Sequence, residues 1–354
     1  MKRRTVLLAG LFISIAAPFA QADDPKSIGP DGATATAADT VSLSEDAVAR
    51  LRLGNFTAAF SWHELYDWSS AVSQGAKDEF ERLGIKVVAE TNASFDAARQ
   101  KGDVETVMAL KPSILITLPV DPVVGKATYA VAMAGNSKIV FIDNAPDGFK
   151  AGSDYVALVT SDRAIIGQKT AEALAKAMND KGKVGYIFHD ANFPVTNQRD
   201  QAFKWNIKTK FPGMEIVVES GIADPAKAEE IALAMLTQHP DITGIYTPWA
   251  EPALGVLAAL RQLGRTDVKV VTIDLNEPAA LDMVKGGSIK AMIADQAYAI
   301  GVTAAKAGAL SLLDKRVAPF LVVGADIVSK DNVSDGWRTS LHREPPKSVT
   351  DISK

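Results

Sequence analysis

The sequence predicts an α/β fold of two doubly wound, parallel-sheet lobes, and three observations carry that prediction. Between about residues 55 and 325, short β-branched runs alternate with stretches of helical periodicity, the signature of right-handed βαβ units with helices on both sheet faces. The same strand–helix order occurs in two successive halves, which fits two lobes better than one sheet of nine or ten strands. Finally, "KIVFID" at 138–143 reappears as "KVVTID" at 269–274. Each is an apolar run suited to a strand buried on both faces, and each stops at a carboxylate that is costly to bury alone.

The first strand is expected at 56–62, followed by a helix at 69–83. Val72, Ala76, Phe80 and Leu83 share one face of that helix, and Gly84 supplies its stop. Strand 85–89, helix 96–110, strand 114–118, helix 123–134 and strand 139–142 complete the first half. After a strand at 155–159 the pattern resumes with helix 164–178 and strand 184–188. Helix 196–211, which aligns Phe203, Ile207 and Phe211, leads to strand 215–218. Helix 225–236, strand 244–247, helix 252–263 and strand 268–273 follow, and strand 290–294 with helix 297–313 closes the series. Parallel strands in open α/β sheets place ligands beyond their carboxyl ends, so Asp143 and Asp274 are expected to line a crevice; the alternative for either is a simple turn cap.

The ends set the compartment. Lys2, Arg3 and Arg4 precede an apolar stretch at 6–19, and Ala20-Gln21-Ala22 fits signal peptidase, so residues 1–22 read as a secretory signal cleaved before Asp23. The apolar stretch is shorter than the ~20 residues needed to span a bilayer. Residues 23–50 begin with an Ala-, Thr-, Asp- and Gly-rich run that lacks a sustained apolar period, and they read as a mobile leader. The tail at 341–354 is polar with two prolines and is expected on the surface. The chain contains no cysteine, which excludes a lipid-anchored cysteine, thiolate metal sites, disulfides and thiol catalysis. Loss of the signal's three cations takes the net charge from −4 to −7, and an acidic chain without a basic cluster argues against nucleic acid as partner.

Catalytic and cofactor motifs are missing. The sequence has no Gly-x-Ser-x-Gly elbow, His-Glu-x-x-His pair, dinucleotide fingerprint or P-loop, so no cofactor is expected. His63, His189, His239 and His342 are scattered without metal-ligand spacing, and no EF-hand pattern occurs. A carboxylate pair for glycoside hydrolysis remains compatible with composition, although two aspartates beside an arginine are expected to stay ionised.

The aromatic residues are more informative. Trp62, Tyr66 and Trp68 crowd the first strand–helix connection, "SWHELYDWSS", and Trp249 holds the corresponding place in "YTPWAEPALG". They either pack against loops or cover the CH faces of a ring or polyol chain whose hydroxyl edges need polar partners. In "HDANFPVTNQRDQAFK", Arg199 falls in the first turn of the expected helix, where a cation opposes the helix dipole. Its fork of donors can bridge hydroxyls and carboxylates; an ion pair with Asp200 or a surface role is the plainer alternative.

At these residues the chain resembles the type I periplasmic sugar-binding proteins, the ribose-binding-protein-like solute receptors of ABC importers. The resemblance runs from about residue 56 to 328 and rests on five segments in order: "SAVSQGAKDEFERLGIKVV", "KIVFIDN", "NQRDQAF", "EPALGVLAAL" and "VVTIDLNEPAALDMVKGGSIKAMIADQ". It implies that Trp68 stacks on a sugar, flanked by Tyr66 and Asp67. It further implies that Asp143, Asn144, Phe193, Arg199, Trp249, Asp274 and Asp295 contact the ligand. Asn144 stands where the family commonly has arginine, Trp249 where asparagine is frequent, and Asp295 where an amide is usual, so pentose specificity does not transfer. The family's three hinge strands correspond to places near Thr160, Gln296 and Pro319. Lobe one would then be 51–159 plus 296–319, and lobe two 160–295 plus 320–340.

The implied function is capture of a sugar or polyol by hinge closure, without catalysis, by a monomer that serves an ABC permease and does not insert stably in the membrane. A receptor for a chemoreceptor or sensor kinase would look nearly the same, and a secreted glycosidase is the enzyme alternative. A repressor of this fold would need a DNA-binding segment where the secretion signal stands.

Overall fold

The computed structural model describes residues 23–352 except residue 122; the expected signal segment lies outside them. Among the described residues, thirteen strands form two sheets. The seven-stranded sheet contains β1 (Thr36–Ala37), β2 (Thr57–Trp62), β3 (Lys86–Asn92), β4 (Ile114–Thr117), β5 (Lys138–Ile142), β6 (Ala157–Ser161) and β12 (Phe320–Val323). Its order is β1-β12-β6-β5-β4-β2-β3, and every pairing is parallel. The six-stranded sheet contains β7 (Gly182–His189), β8 (Met214–Ile222), β9 (Ile242–Tyr246), β10 (Lys269–Ile273), β11 (Ile289–Asp295) and β13 (Ala325–Val328), in the order β13-β11-β10-β9-β7-β8. Only β13 runs antiparallel there. Strands such as β4, β5 and β6 are buried along nearly their whole length, as continuous apolar runs require when helices cover both faces.

The helices are α1 (Glu45–Leu53), α2 (Asp67–Leu83), α3 (Ala97–Ala109), α4 (Gly125–Thr128), α5 (Ala130–Ala134), α6 (Arg163–Met178), α7 (Pro194–Lys210), α8 (Ala228–Gln238), α9 (Ala250–Gln262), α10 (Glu277–Val284), α11 (Ala297–Leu312), α12 (Val333–Leu341) and α13 (Lys347–Thr350). The single helix expected at 123–134 is broken at Tyr129, whose buried hydroxyl meets that of Thr117 at 2.8 Å. In the second lobe α6 crosses α7 at Gly167. A Cβ at that position would lie 2.4 Å from the Arg199 carbonyl oxygen, so only glycine lets α7 approach this closely.

The chain passes between sheets three times: from β6 into α6, from β11 into α11, and from β12 to β13 through Gly324. The first two crossings lie near Thr160 and Gln296. Phe320–Val323 pairs with β6, so this segment extends the first lobe's sheet and the third crossing falls at Gly324 rather than Pro319.

The N-terminal segment also departs from expectation. The segment read as a mobile leader is packed against both lobes. Ser27 Oγ donates to Asp162 Oδ1 at 2.7 Å, Gln198 makes two hydrogen bonds to the Ile28 backbone, and Thr36–Ala37 then pairs with β12. Residues 45–53 form α1, with Ser44 as its N-cap. Near the other end, Trp337 is fully buried and α12 packs on α2 and α11; the tail that follows is largely exposed, with Val349 of α13 turned inward. The polar composition of the N-terminal segment hid ordering that comes from partners far away in sequence.

Candidate ligand-binding site

Asp143 and Asp274 answer each other across the molecule. Each is the first residue past its strand, and each has left-handed backbone, with φ of 56° and 68°. The amide of each donates to a carbonyl of the next strand: Asp143 to Val159 at 3.0 Å, and Asp274 to Ile293 at 2.9 Å. Aspartate tolerates this conformation better than most residues, so the chain turns off the sheet while the carboxylate stays at its carboxyl edge. Both line a cavity of about 770 Å³, within the range of small-ligand sites.

The cavity wall is drawn from the strand-to-helix connections of both lobes. The first lobe supplies His63, Glu64, Tyr66, Trp68, Phe95, Leu118, Pro119, Val120, Asp143 and Asn144. The second supplies His189, Phe193, Val195, Thr196, Arg199, Ala223, Asp224, Pro225, Trp249, Glu251 and Asp274. A second concavity, of about 900 Å³, lies at the opposite, amino-terminal edge of the first sheet, near Lys138, Asp154 and Arg316. Tyr155 is the only aromatic ring among its lining residues, and the topology gives no reason to place a ligand at that edge.

Aromatic rings form the apolar surfaces of the crevice. Tyr66 and Trp68 stack with centroids 6.2 Å apart, and the Trp68 indole is buried. On the facing lobe Trp249 meets the edge of His189 at 4.9 Å, and His189 stacks on Phe193 at 5.3 Å. Trp62, grouped with these residues from sequence, belongs instead to the core: it is fully buried, and its indole donates to Glu90 at 3.0 Å.

Of the ten residues expected at the ligand, eight line the cavity. Asp67 does not. It opens α2 and forms an ion pair with Arg343. Asp295 lies behind the wall, where its Oδ1 accepts the Trp68 indole N–H at 2.8 Å. Asn144 has a further role, because its Oδ1 accepts the Val195 amide at 3.2 Å and thereby caps the start of α7 across the lobes.

Arg199 is buried, and among the described residues its guanidinium makes one hydrogen bond, a long one of 3.5 Å from Nη2 to the Pro248 carbonyl, while its Nε has no partner there. The ion pair with Asp200 is not formed. Asp200 instead accepts the Tyr246 hydroxyl and the His189 amide, and burial raises its carboxyl to about 7. Because α7 begins at Pro194, Arg199 is its sixth residue rather than part of the first turn, so the dipole argument for it lapses. A cation that does stand at a helix start is Arg163, the first residue of α6. Arg163 is fully buried, donates Nη2 to the Asp143 carbonyl at 2.6 Å and lies over the Phe320 ring.

The electrostatics reverse a second expectation. Arg199 does not hold the aspartates below their usual range. Burial raises Asp143 despite the Thr160 hydrogen bond and the two guanidinium groups, and it raises Asp274 further, against Arg199. Burial and then Asp143 push Asp295 up to about 7, and burial also raises Glu251. Burial alone would lower Arg199, but Asp274 and then Asp143 outweigh it and raise it. Glu64, His189 and Glu251 were missed as lining residues, although each sits in a connection already marked by its aromatic neighbours.

Residues 58–315 match the periplasmic binding protein domain family. The ribose import binding protein of Salmonella typhimurium is 29% identical over 240 residues, covering 66% of this chain and 78% of that protein. A D-ribose/D-allose-binding protein of Pseudomonas aeruginosa is 31% identical, covering 65% and 71% respectively. An ABC transporter solute-binding protein of Agrobacterium vitis, solved with bound α-D-tagatopyranose, superposes with a TM-score of 0.70 at 24% identity, over 79% of this chain and 96% of that one. At that identity the superposition establishes the fold, while the match over most of the sequence establishes kinship. The chain belongs to the periplasmic binding protein domain family.

Proposed function

We propose that this protein is a periplasmic receptor that captures a sugar or polyol by closing its lobes and delivers it to an ABC importer. The observation that carries this reading is one crevice into which each lobe projects an indole, Trp68 from one side and Trp249 from the other. Flat rings cover the CH faces of a saturated ring, while Arg199, Asp143 and Asp274 supply charged partners for its hydroxyls. Relatives named for ribose and allose, and a fold neighbour solved with tagatose, point to the same ligand class. Asp67 is left out of the ligand set, and Asp295 acts by positioning Trp68. Export with cleavage after Ala22, a monomeric state, and binding without turnover belong to the same proposal. No helix among the described residues is long and apolar enough to cross a membrane.

The test is a thermal-shift and calorimetric screen of pentoses, hexoses, polyols and amino sugars. A ligand at 100 times its dissociation constant adds roughly 2.7 kcal/mol of stability. Binding should change tryptophan fluorescence and should weaken in Trp68→Ala and Trp249→Ala. Wild-type affinity in both variants, or steady release of product from glycosides, would reject the proposal.

A further inference from the structure

Five carboxylates line the crevice, from Glu64, Asp143, Asp224, Glu251 and Asp274, against a single guanidinium, that of Arg199. Neither lining histidine restores the balance, because burial lowers His63 to about 3 and His189 to about 4, leaving both neutral. The excess is concentrated rather than spread. Asp274, Glu251 and Asp143 all act on the Tyr66 hydroxyl, which burial first and then these three carboxylates push well above its ordinary range. They reach it from both lobes: Asp143 beyond β5, Asp274 beyond β10, and Glu251 from the first turn of α9.

A crowd of carboxylates is by itself only an acidic surface. Here one member lacks a partner where it most needs one. Asp274 is 8% exposed, lines the cavity, and its Oδ1 accepts no hydrogen bond from the described residues. Leaving a buried carboxylate oxygen unpaired is costly. Burial raises Glu64, Asp143, Glu251 and Asp274, so the crevice holds part of this charge as protons. A hydroxyl would give Asp274 one neutral donor and leave the carboxyls in that state, whereas a cation draws them to the charged form. An ammonium offers three donors and a compensating charge, and Tyr66 and Trp249 line the same cavity.

Resting on the proposed receptor function, we propose that the ligand is a polyhydroxylated ring or chain bearing an amine. Its ammonium is held by Asp274, Glu251 and Asp143 beside Tyr66, and its hydroxyl edge faces Arg199. The amine, rather than the hydroxyl pattern alone, sets specificity.

Calorimetry near neutral pH with matched pairs tests this: glucose against glucosamine, galactose against galactosamine, and an inositol against its monoamino counterpart, with each N-acetyl derivative as the uncharged control. The amino member of at least one pair should bind at least tenfold tighter than its hydroxyl partner, and N-acetylation should abolish the advantage. Glu251→Gln should cut the preference severalfold, as should Asp274→Asn; if the buried Asp274 variant fails to fold, Glu251→Gln on the partly exposed helix start decides. Hydroxyl members binding as tightly as the amino members, or a preference unchanged in Glu251→Gln, overturns the inference and leaves the sugar-receptor reading intact. Failure of every neutral and amino compound to bind overturns both.

Discussion

The indole N–H of Trp68 donates to Asp295 Oδ1 at 2.8 Å, joining the start of α2 in one lobe to the end of β11 in the other. Both groups are nearly fully buried. Asp295 therefore fixes the plane of the ring proposed to stack on the ligand, and it does so as a carboxyl raised to about 7 by burial and then by Asp143. Its ordinary value is 3.8, so across the intervening range the folded protein holds a proton that the unfolded chain releases.

Stability should consequently fall as pH rises, the reverse of the usual carboxylate. Asp200, also raised to about 7, works in the same direction. Below pH 6.5, the ordinary histidine value, the buried neutral His63 and His189 oppose the trend, because the unfolded chain protonates them. The clean window is thus from about pH 6.5 to about pH 8. Thermal melts of the ligand-free protein should show Tm declining through it, with a shallower decline in Asp295→Asn, which keeps an acceptor for Trp68 but no proton. A Tm that rises across this window in the wild type would show that the acidic crevice is not buried in solution.

Gly167 is predicted to control Arg199 without touching the ligand. A methyl there would meet the Arg199 carbonyl at 2.4 Å and the Phe203 amide at 2.7 Å. Gly167→Ala should cost about 1–3 kcal/mol of stability as α6 and α7 separate, and it should weaken ligand binding by moving Arg199. Gly102→Ala is the control: its Cβ meets nothing within 4 Å on α3, and it should be neutral or stabilise by up to about 1 kcal/mol. Equal effects from both variants would argue against close approach at Gly167.

What the sequence revealed, and what it hid, divides along the range of the interactions involved. Strands β2, β4, β5 and β10 were found within a residue or two, because burial on both faces writes itself into a local apolar run. The aspartates after β5 and β10 were legible because a carboxylate ends each run. By contrast, "PFLVVGADIV" is one apolar stretch that serves two sheets, and only pairing with β6 and β11 shows that the change comes at Gly324. Ser27 lies 135 residues from Asp162, so nothing local marks it as anchored. Arg163 was legible in principle: a cation as the first residue of a helix raises the question that had been asked of Arg199.

The N-terminal strap should matter to both lobes. Ser27, Ile28 and Asp24 bind α6 and α7 of the second lobe, whereas Thr36–Ala37 extends the first lobe's sheet. Ser27→Ala removes the hydroxyl that donates to Asp162 and accepts the Ala164 amide at 3.0 Å, and should cost about 1 kcal/mol. Deleting residues 23–29 should lower Tm further and alter ligand affinity, since the connection across the hinge is cut. A truncated protein with wild-type Tm and affinity would reduce the strap to decoration.

Arg199 carries the most specific prediction. It is the only cation lining the crevice among the described residues, and Asp274 and then Asp143 are the carboxylates that act most strongly on it. Hydrogen bonds to charged groups contribute roughly 1.5–3 kcal/mol each, and a guanidinium can make two or more to a ligand. Arg199→Ala should therefore weaken binding by at least about 2 kcal/mol, roughly thirtyfold. Arg199→Lys should recover only part of this, because an ammonium lacks the planar fork. The loss of stability should itself depend on pH. Without Arg199, Asp274 and Asp143 shift further upward and take protons, so the Tm deficit should be small near pH 5 and grow towards pH 8. An Arg199→Ala protein that binds within threefold of wild type would remove the guanidinium from the ligand's contacts. A Tm deficit independent of pH would instead show that Arg199 matters through packing rather than through the two strand-end aspartates it faces.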